Sequence, residues 1–168
     1  AIKSKFIIKL AEWLEKISYS HSNHIICLSS GMKSQLTSII LKNKMTVVTN
    51  LSDKLGFKYR TNNKKMNLPK ISNNPFILYA GAFGRINGII YLVEIAKAMK
   101  KINPKIFFLL VGNGHDERNI INKSKEYEIY NKTLFCIDYI SKKEIPKILS
   151  KATITTSIFV DIPEMQNN

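Results

Sequence analysis

From Phe76 to Val160 the sequence alternates short, continuous apolar runs with longer stretches whose apolar residues recur every three or four positions. The first pattern belongs to strands buried on both faces, the second to amphipathic helices. Phe76-Ile77-Leu78-Tyr79-Ala80 predicts a strand ending at Gly81. Residues 87–103 predict a helix with Ile89, Leu92, Val93, Ala96 and Met99 on one face. A strand over 105–111 ends at Gly112, and 116–128 predict a polar helix with Ile120 and Ile121 inward and Asp116 as its cap. Residues 133–139 predict the next strand. Ser141 and Glu144, three apart, read as a capping box; it opens a helix that buries Ile145, Ile148 and Leu149, and 153–160 form the last strand. Consecutive strands joined by helical crossovers run parallel. The expected fold class is therefore α/β, a half-Rossmann parallel sheet with helices on both faces. Ligands of such sheets bind outside the carboxyl ends of the strands. That points to three loops, 81–88, 112–116 and 139–141.

Upstream, Phe6, Leu10, Trp13, Leu14 and Ile17 mark one face of a helix over 3–19. His24-Ile25-Ile26-Cys27-Leu28 predicts a buried strand, Ser29 or Ser30 caps a helix over 32–41, and 45–49 form another strand. Apolar periodicity disappears over 51–74, where Asn62-Asn63-Lys64-Lys65, Pro69 and Ser72-Asn73-Asn74-Pro75 predict a linker and the domain boundary. The expected division is 1–50, a linker at 51–74, and 75–168.

The net charge of +14 raises nucleic acid, anionic lipid and phosphorylated ligands as partners. A nucleic-acid binder interleaves basic and aromatic residues on one face. Here the aromatics fall mostly in apolar strands, so no nucleic-acid partner is expected, and a basic nucleic-acid-binding domain is a lesser alternative. Lysines also accumulate in a composition rich in Ile, Lys and Asn together, as solvated surface. Lys3, Lys5, Lys9 and Lys16 beside Trp13 suit peripheral contact with an anionic membrane, or an ordinary packing helix. No apolar run approaches a membrane span, and charges interrupt 1–19 as a signal peptide. Cys27 and Cys136 lie in apolar runs with neither metal nor redox spacing, which fits buried free thiols, a reducing cytoplasm and no metal site.

In the loop Gly81-Ala82-Phe83-Gly84-Arg85-Ile86-Asn87-Gly88, three glycines join a strand to a helix N-terminus. Free N–H groups, the helix dipole and Arg85 favour a phosphate there. The spacing is not the dinucleotide fingerprint. A tight turn with an exposed arginine is the plain alternative. Gly112-Asn113-Gly114-His115-Asp116 repeats the arrangement, with His115 expected in solvent.

The succession of these pieces resembles the retaining glycosyltransferases of GT-B type in the "group 1" (family 4) class. Leu78-Tyr79-Ala80-Gly81-x-x-Gly84-x-x-Asn87-Gly88 with Tyr91-Leu92-Val93-Glu94-Ile95-Ala96 looks like the start of their C-terminal domain. Val111-Gly112-Asn113-Gly114, Phe135, and Ser141, Glu144, Pro146 and Leu149 follow in the family's order. His24 to Met32, and Val47-Val48-x-Asn50 followed by Asp53, resemble the end of the N-terminal, acceptor-side domain. Ile162-Pro163-Glu164-Met165-x-x-Asn168 resembles a subgroup that builds cell-surface polysaccharides.

The resemblance implies a Rossmann-like domain, incomplete at both ends, that binds a nucleotide-diphosphate sugar and needs no further cofactor. Gly81, Gly84, Arg85, Asn87 and Gly88 would lie near the diphosphate, and Gly112, Asn113, Gly114, Ile137 and Tyr139 near the nucleoside. The acceptor would be a glycan or a lipid-linked glycan. Many members carry an arginine after the first glycine and a lysine before the helix glycine; this chain has Ala82 and Asn87 there. The resemblance also places the acceptor base and the acidic pair outside the 168 residues. An internal fragment with no catalytic residue of its own, inactive alone, is therefore expected. The alternative activity class is a non-enzymatic phosphate-binding module of receiver or flavodoxin type, for which Asp138 is a lone acidic candidate.

Overall fold

A computed structural model describes residues 4–51, 69, 71 and 74–162. Most of the predicted linker, and the subgroup motif beyond Ile162, lie outside the described residues. The described chain divides into two compact units, 4–51 with Ile162, and 69–161.

In the first unit, α1 (Lys5–His21) is followed by β1 (Ile25–Cys27), α2 (Ser30–Leu36) and β2 (Met45–Val47). Ser29 caps α2 by accepting from the Met32 N–H, as predicted. α2 stops at Leu36, short of the predicted Leu41, and the chain then turns into a short 3₁₀ segment at Lys42–Lys44. β1 and β2 pair in parallel, with His24 Nε2 2.8 Å from Thr46 Oγ1 at their edge. Cys27, Ile40 and Met45 form a small buried cluster. α1 forms as predicted, but its apolar face is uncovered: the helix buries no residue, and Phe6 and Trp13 are 75% and 57% exposed. The periodicity is that of a helix, but no described element covers it. No described helix is long and apolar enough to cross a membrane.

The second unit contains β3 (Phe76–Ala80), α3 (Ile90–Ile102), β4 (Phe107–Val111), α4 (Glu117–Glu126), β5 (Leu134–Ile137), α5 (Ile145–Leu149) and β6 (Ile154–Thr156). The four strands are all parallel, in the order β5-β4-β3-β6. Their side chains alternate between two cores, as the period of two requires. Tyr79, Phe108, Leu110 and Leu134 face α3 and α4, where Leu92, Val93, Ala96 and Ile120 close the layer. Phe76, Leu78, Leu109 and Val111 face α5, where Ile148 closes the other. The sheet therefore carries helices on both faces, as expected.

Helix starts differ from expectation in the second unit: α3 begins at Ile90, not at 87, after a 3₁₀ turn at Arg85–Asn87. α5 begins at Ile145, with Pro146 in its first turn, and 142–144 form a turn instead. The capping box is not made: Ser141 Oγ donates to the Glu144 carboxylate at 3.1 Å, so neither side chain caps a backbone N–H. Asp116 does not cap α4 either, because its carboxylate is engaged by His115.

Candidate functional site

The first unit of winding, from β3 to β5, runs one way across the sheet; the return to β6 places that strand on the other side of β3. Such a reversal opens a crevice at the carboxyl ends of the strands. Three loops gather there. Gly81 N–H donates to the Val111 carbonyl and Gly112 N–H to that of Ile137, each extending its ladder by one bond past the strand end. Beyond those bonds the loops separate around a cleft of about 420 Å³.

The cleft is bounded by 80–82 from the first loop, 111–113 from the second, and Tyr139, Ile140, Lys142 and Ile145 from the segment leading into α5. Of the residues singled out in the sequence, Gly81, Gly112, Asn113 and Tyr139 line it; Gly84, Arg85, Asn87, Gly88, Gly114 and Ile137 do not. Ala82 also lines it. Lys142 was missed. Its signal, a cation just past the third loop, was hidden by reading 141–144 as a helix cap. Among the described residues Lys142 forms no ion pair.

The first loop is held from below. Phe83, predicted as a plain loop residue, is fully buried and packs against Tyr79 with ring centroids 6.2 Å apart. Its N–H donates to the Asn113 carbonyl at 2.8 Å, and its carbonyl accepts from Asp116 N–H at 2.9 Å. Asn87 closes the loop from the side, donating through Nδ2 to Tyr79 Oη and to the Ala82 carbonyl at 2.9 and 2.6 Å. Gly88, at φ +58°, caps the 3₁₀ turn Arg85–Asn87 and lies against the backbone of Phe159 and Val160.

The second loop carries a linked set of polar groups. Asn113 Nδ2 donates to Asp138 Oδ1 at 2.9 Å, and the same carboxylate accepts from Tyr139 N–H at 2.6 Å. His115, expected free in solvent, is exposed but bonded on both ring nitrogens, to Arg85 at 3.0 Å and Asp116 at 2.9 Å. Behind the sheet end, burial pushes the Cys136 thiol up to about 12. That thiol is neutral and not a nucleophile. Among the described residues no group of three or more His, Cys, Asp and Glu side chains is placed to hold a metal.

A parallel sheet of this order, with two glycine loops and a cleft at its carboxyl edge, suits several ligand classes. The family described as "Glycosyl transferases group 1" matches residues 60–158, more than half of the chain. The chain belongs to the group 1 glycosyltransferases. The fold agrees. Sucrose-phosphate synthase from Thermosynechococcus elongatus is similar with a TM-score of 0.72 at 19% identity, over 95% of this chain and 42% of that one. Anabaena HepE in complex with UDP and glucose gives 0.69 at 13%, over 93% and 42%. TarM of S. aureus, in a complex that includes UDP, gives 0.66 at 16%, over 89% and 28%. This group 1 chain thus spans less than half the length of these structures. No curated protein sequence matches it. The arrangement is of GT-B type, α/β with Rossmann-like parallel pairing.

Proposed function

We propose that this chain is the donor-binding part of a retaining glycosyltransferase that takes a sugar from a nucleotide-diphosphate donor and passes it to a glycan or lipid-linked acceptor in polysaccharide synthesis. The observation that carries the reading is the cleft at the carboxyl edge of β3, β4 and β5, within the span of the family match. Its walls are mostly apolar, with Ile140, Ile145 and the Tyr139 ring beside the second loop. Such walls suit a flat nucleoside, and the few polar groups set its orientation. Asn113 and Lys142 are the polar side chains at that end. The glycine loop and the turn at Arg85 suit the diphosphate, with Arg85 supplying the cation that Ala82 and Asn87 do not.

Fixed cations around a leaving diphosphate stabilise the charge that develops as the glycosidic bond breaks. The chain's own contribution is to hold and neutralise the donor. UDP accompanies two of the structural relatives named above, which makes UDP-sugars the first donors to test. The test is calorimetric titration of the full-length protein with UDP-, GDP- and ADP-glucose, beside Lys142→Ala and Gly84→Val. A Cβ at Gly84 meets only Asn87 Oδ1, at 3.8 Å, an ordinary contact, so the loop accepts the first carbon of a side chain there. We expect each variant to bind about ten-fold more weakly or worse. Equal affinity in all three proteins removes both this cleft and the glycine loop beside it from the donor site.

A further inference from the structure

We infer that His115 is a positioning residue whose neutral imidazole fixes the Arg85 guanidinium between the two glycine-rich loops. The inference rests on the reading of Arg85 as a donor-binding cation. Arg85 is exposed on a three-residue turn, where a long side chain otherwise samples many rotamers. Its Nη2 lies 3.0 Å from His115 Nε2. A guanidinium donates and never accepts, so Nε2 accepts and carries no proton. The other ring nitrogen, Nδ1, lies 2.9 Å from Asp116 Oδ1. A carboxylate accepts, so Nδ1 carries the ring proton. The two contacts therefore demand one and the same tautomer, and each reinforces it.

The backbone keeps the three residues in register, because Asp116 N–H and the Asn113 carbonyl both bond to Phe83 of the first loop. Like Arg85, His115 does not line the cleft; its part is to hold Arg85. The charged groups around it are Arg85 from the first loop and Asp116, Glu117 and Arg118 from the start of α4; the last two share a shallow groove with His115. Their signs balance, two against two. Protonation of Nε2 then has one decisive consequence: the acceptor is lost, and an imidazolium faces a guanidinium. An imidazolium at that position no longer holds Arg85.

Two measurements test this. The chain has three histidines, His21, His24 and His115, so the ring ¹⁵N shifts of the ligand-free protein are readily assigned. At about pH 8, where histidines are neutral, His115 is expected as the Nδ1–H tautomer, and Arg85→Ala is expected to shift it toward a mixture. An Nε2–H tautomer overturns the inference whatever the donor is.

The second measurement is the affinity of the full-length protein for UDP-, GDP- and ADP-glucose at about pH 8 and about pH 5.5. The diphosphates of these sugars are esterified at both ends and keep their charge. The wild type is expected to lose about three- to ten-fold at the lower pH, the value of a partly screened charged contact. His115→Gln, whose amide oxygen accepts from Arg85 without titrating, is expected to bind equally at both. Arg85→Ala is expected to bind more weakly than wild type at pH 8 and equally at both. Parallel pH dependence in wild type and His115→Gln, with Arg85→Ala still weak, overturns the inference and leaves the donor site standing. Unchanged affinity in Arg85→Ala, or no binding of any of the three sugars, overturns both.

Discussion

A Cβ atom on Gly112 would collide with the carbonyl oxygen of Gly81, so the first two loops meet there backbone to backbone. Gly112 also sits at φ +142°, where side chains are rarely found. The glycine that the sequence assigns to a ligand is thus required by the neighbouring loop, and the contact forms part of the cleft wall. Gly84 is the opposite case, with φ −91° and only an ordinary van der Waals contact, to Asn87 Oδ1, at its Cβ position. Gly112→Ala is expected to cost about 2–4 kcal/mol, and Gly84→Ala to change stability by less than about 1 kcal/mol. Urea midpoints of the two variants check this; similar midpoints would show that the loops do not pack as described.

Tyr79, Ala82 and Asn87 form a closed set of three hydrogen bonds. The Tyr79 hydroxyl donates to the Ala82 carbonyl at 2.9 Å and accepts from Asn87 Nδ2, which also bonds that carbonyl. Tyr79→Phe and Asn87→Ala are each expected to cost about 1 kcal/mol. Because they share partners, the double variant is expected to cost less than the sum by about 0.5 kcal/mol or more. A double-mutant cycle in urea measures the coupling; strict additivity contradicts the shared network.

Phe83 is the anchor of the first loop. Its ring is fully buried among Tyr79, Ile89 and the rest of the α3 and α4 core. Phe83→Ala is expected to destabilise the second unit by about 3–5 kcal/mol. Phe83→Leu, which keeps much of the volume, is expected to cost less than half as much. The pair is compared by thermal unfolding. A loss of under about 1 kcal/mol in Phe83→Ala would place the ring outside the core.

Burial raises the Cys136 thiol from 9.0 to about 12, with Glu117 adding a smaller effect in the same direction. A raised acid pKa means that the unfolded chain releases its proton first. The stability tied to this thiol is therefore complete below about pH 9 and is lost as the pH rises from 9 toward 12. Two outcomes follow. Native Cys136 resists thiol reagents at about pH 8 while the urea-unfolded chain reacts, and Cys136→Ala loses less stability than wild type between about pH 9 and pH 10.5. Rapid labelling of the native thiol contradicts the burial.

Several residues of the cleft lining were readable from residue types alone. Gly81, Gly112, Asn113 and Tyr139 were found because glycines and polar residues directly after an apolar run mark a strand's carboxyl end. Lys142 was not, because Ser141 and Glu144 satisfy a local helix-start pattern that the structure replaces with a turn. The roles of Asn87 and His115 were also out of reach. Their partners are 8 and 30 residues away in the chain, and no local pattern encodes which side chain a loop residue meets.

The sequence by itself determined the elements of the second unit and their alternation. Strand against helix is decided by contacts within four residues and by the period of the apolar positions, both present in any window of ten. It also determined that β3 and β4 are buried on both faces, since neither run contains a charge. Only the tertiary structure decided that β6 returns to pair with β3, as Leu78 with Thr155, and that β5 lies at the far edge. It alone decided that the Arg85 and His115 loops lock together. Those outcomes depend on how three crossovers stack over nearly eighty residues, where many orders satisfy the same local pattern and the free energy of packing two cores at once selects one.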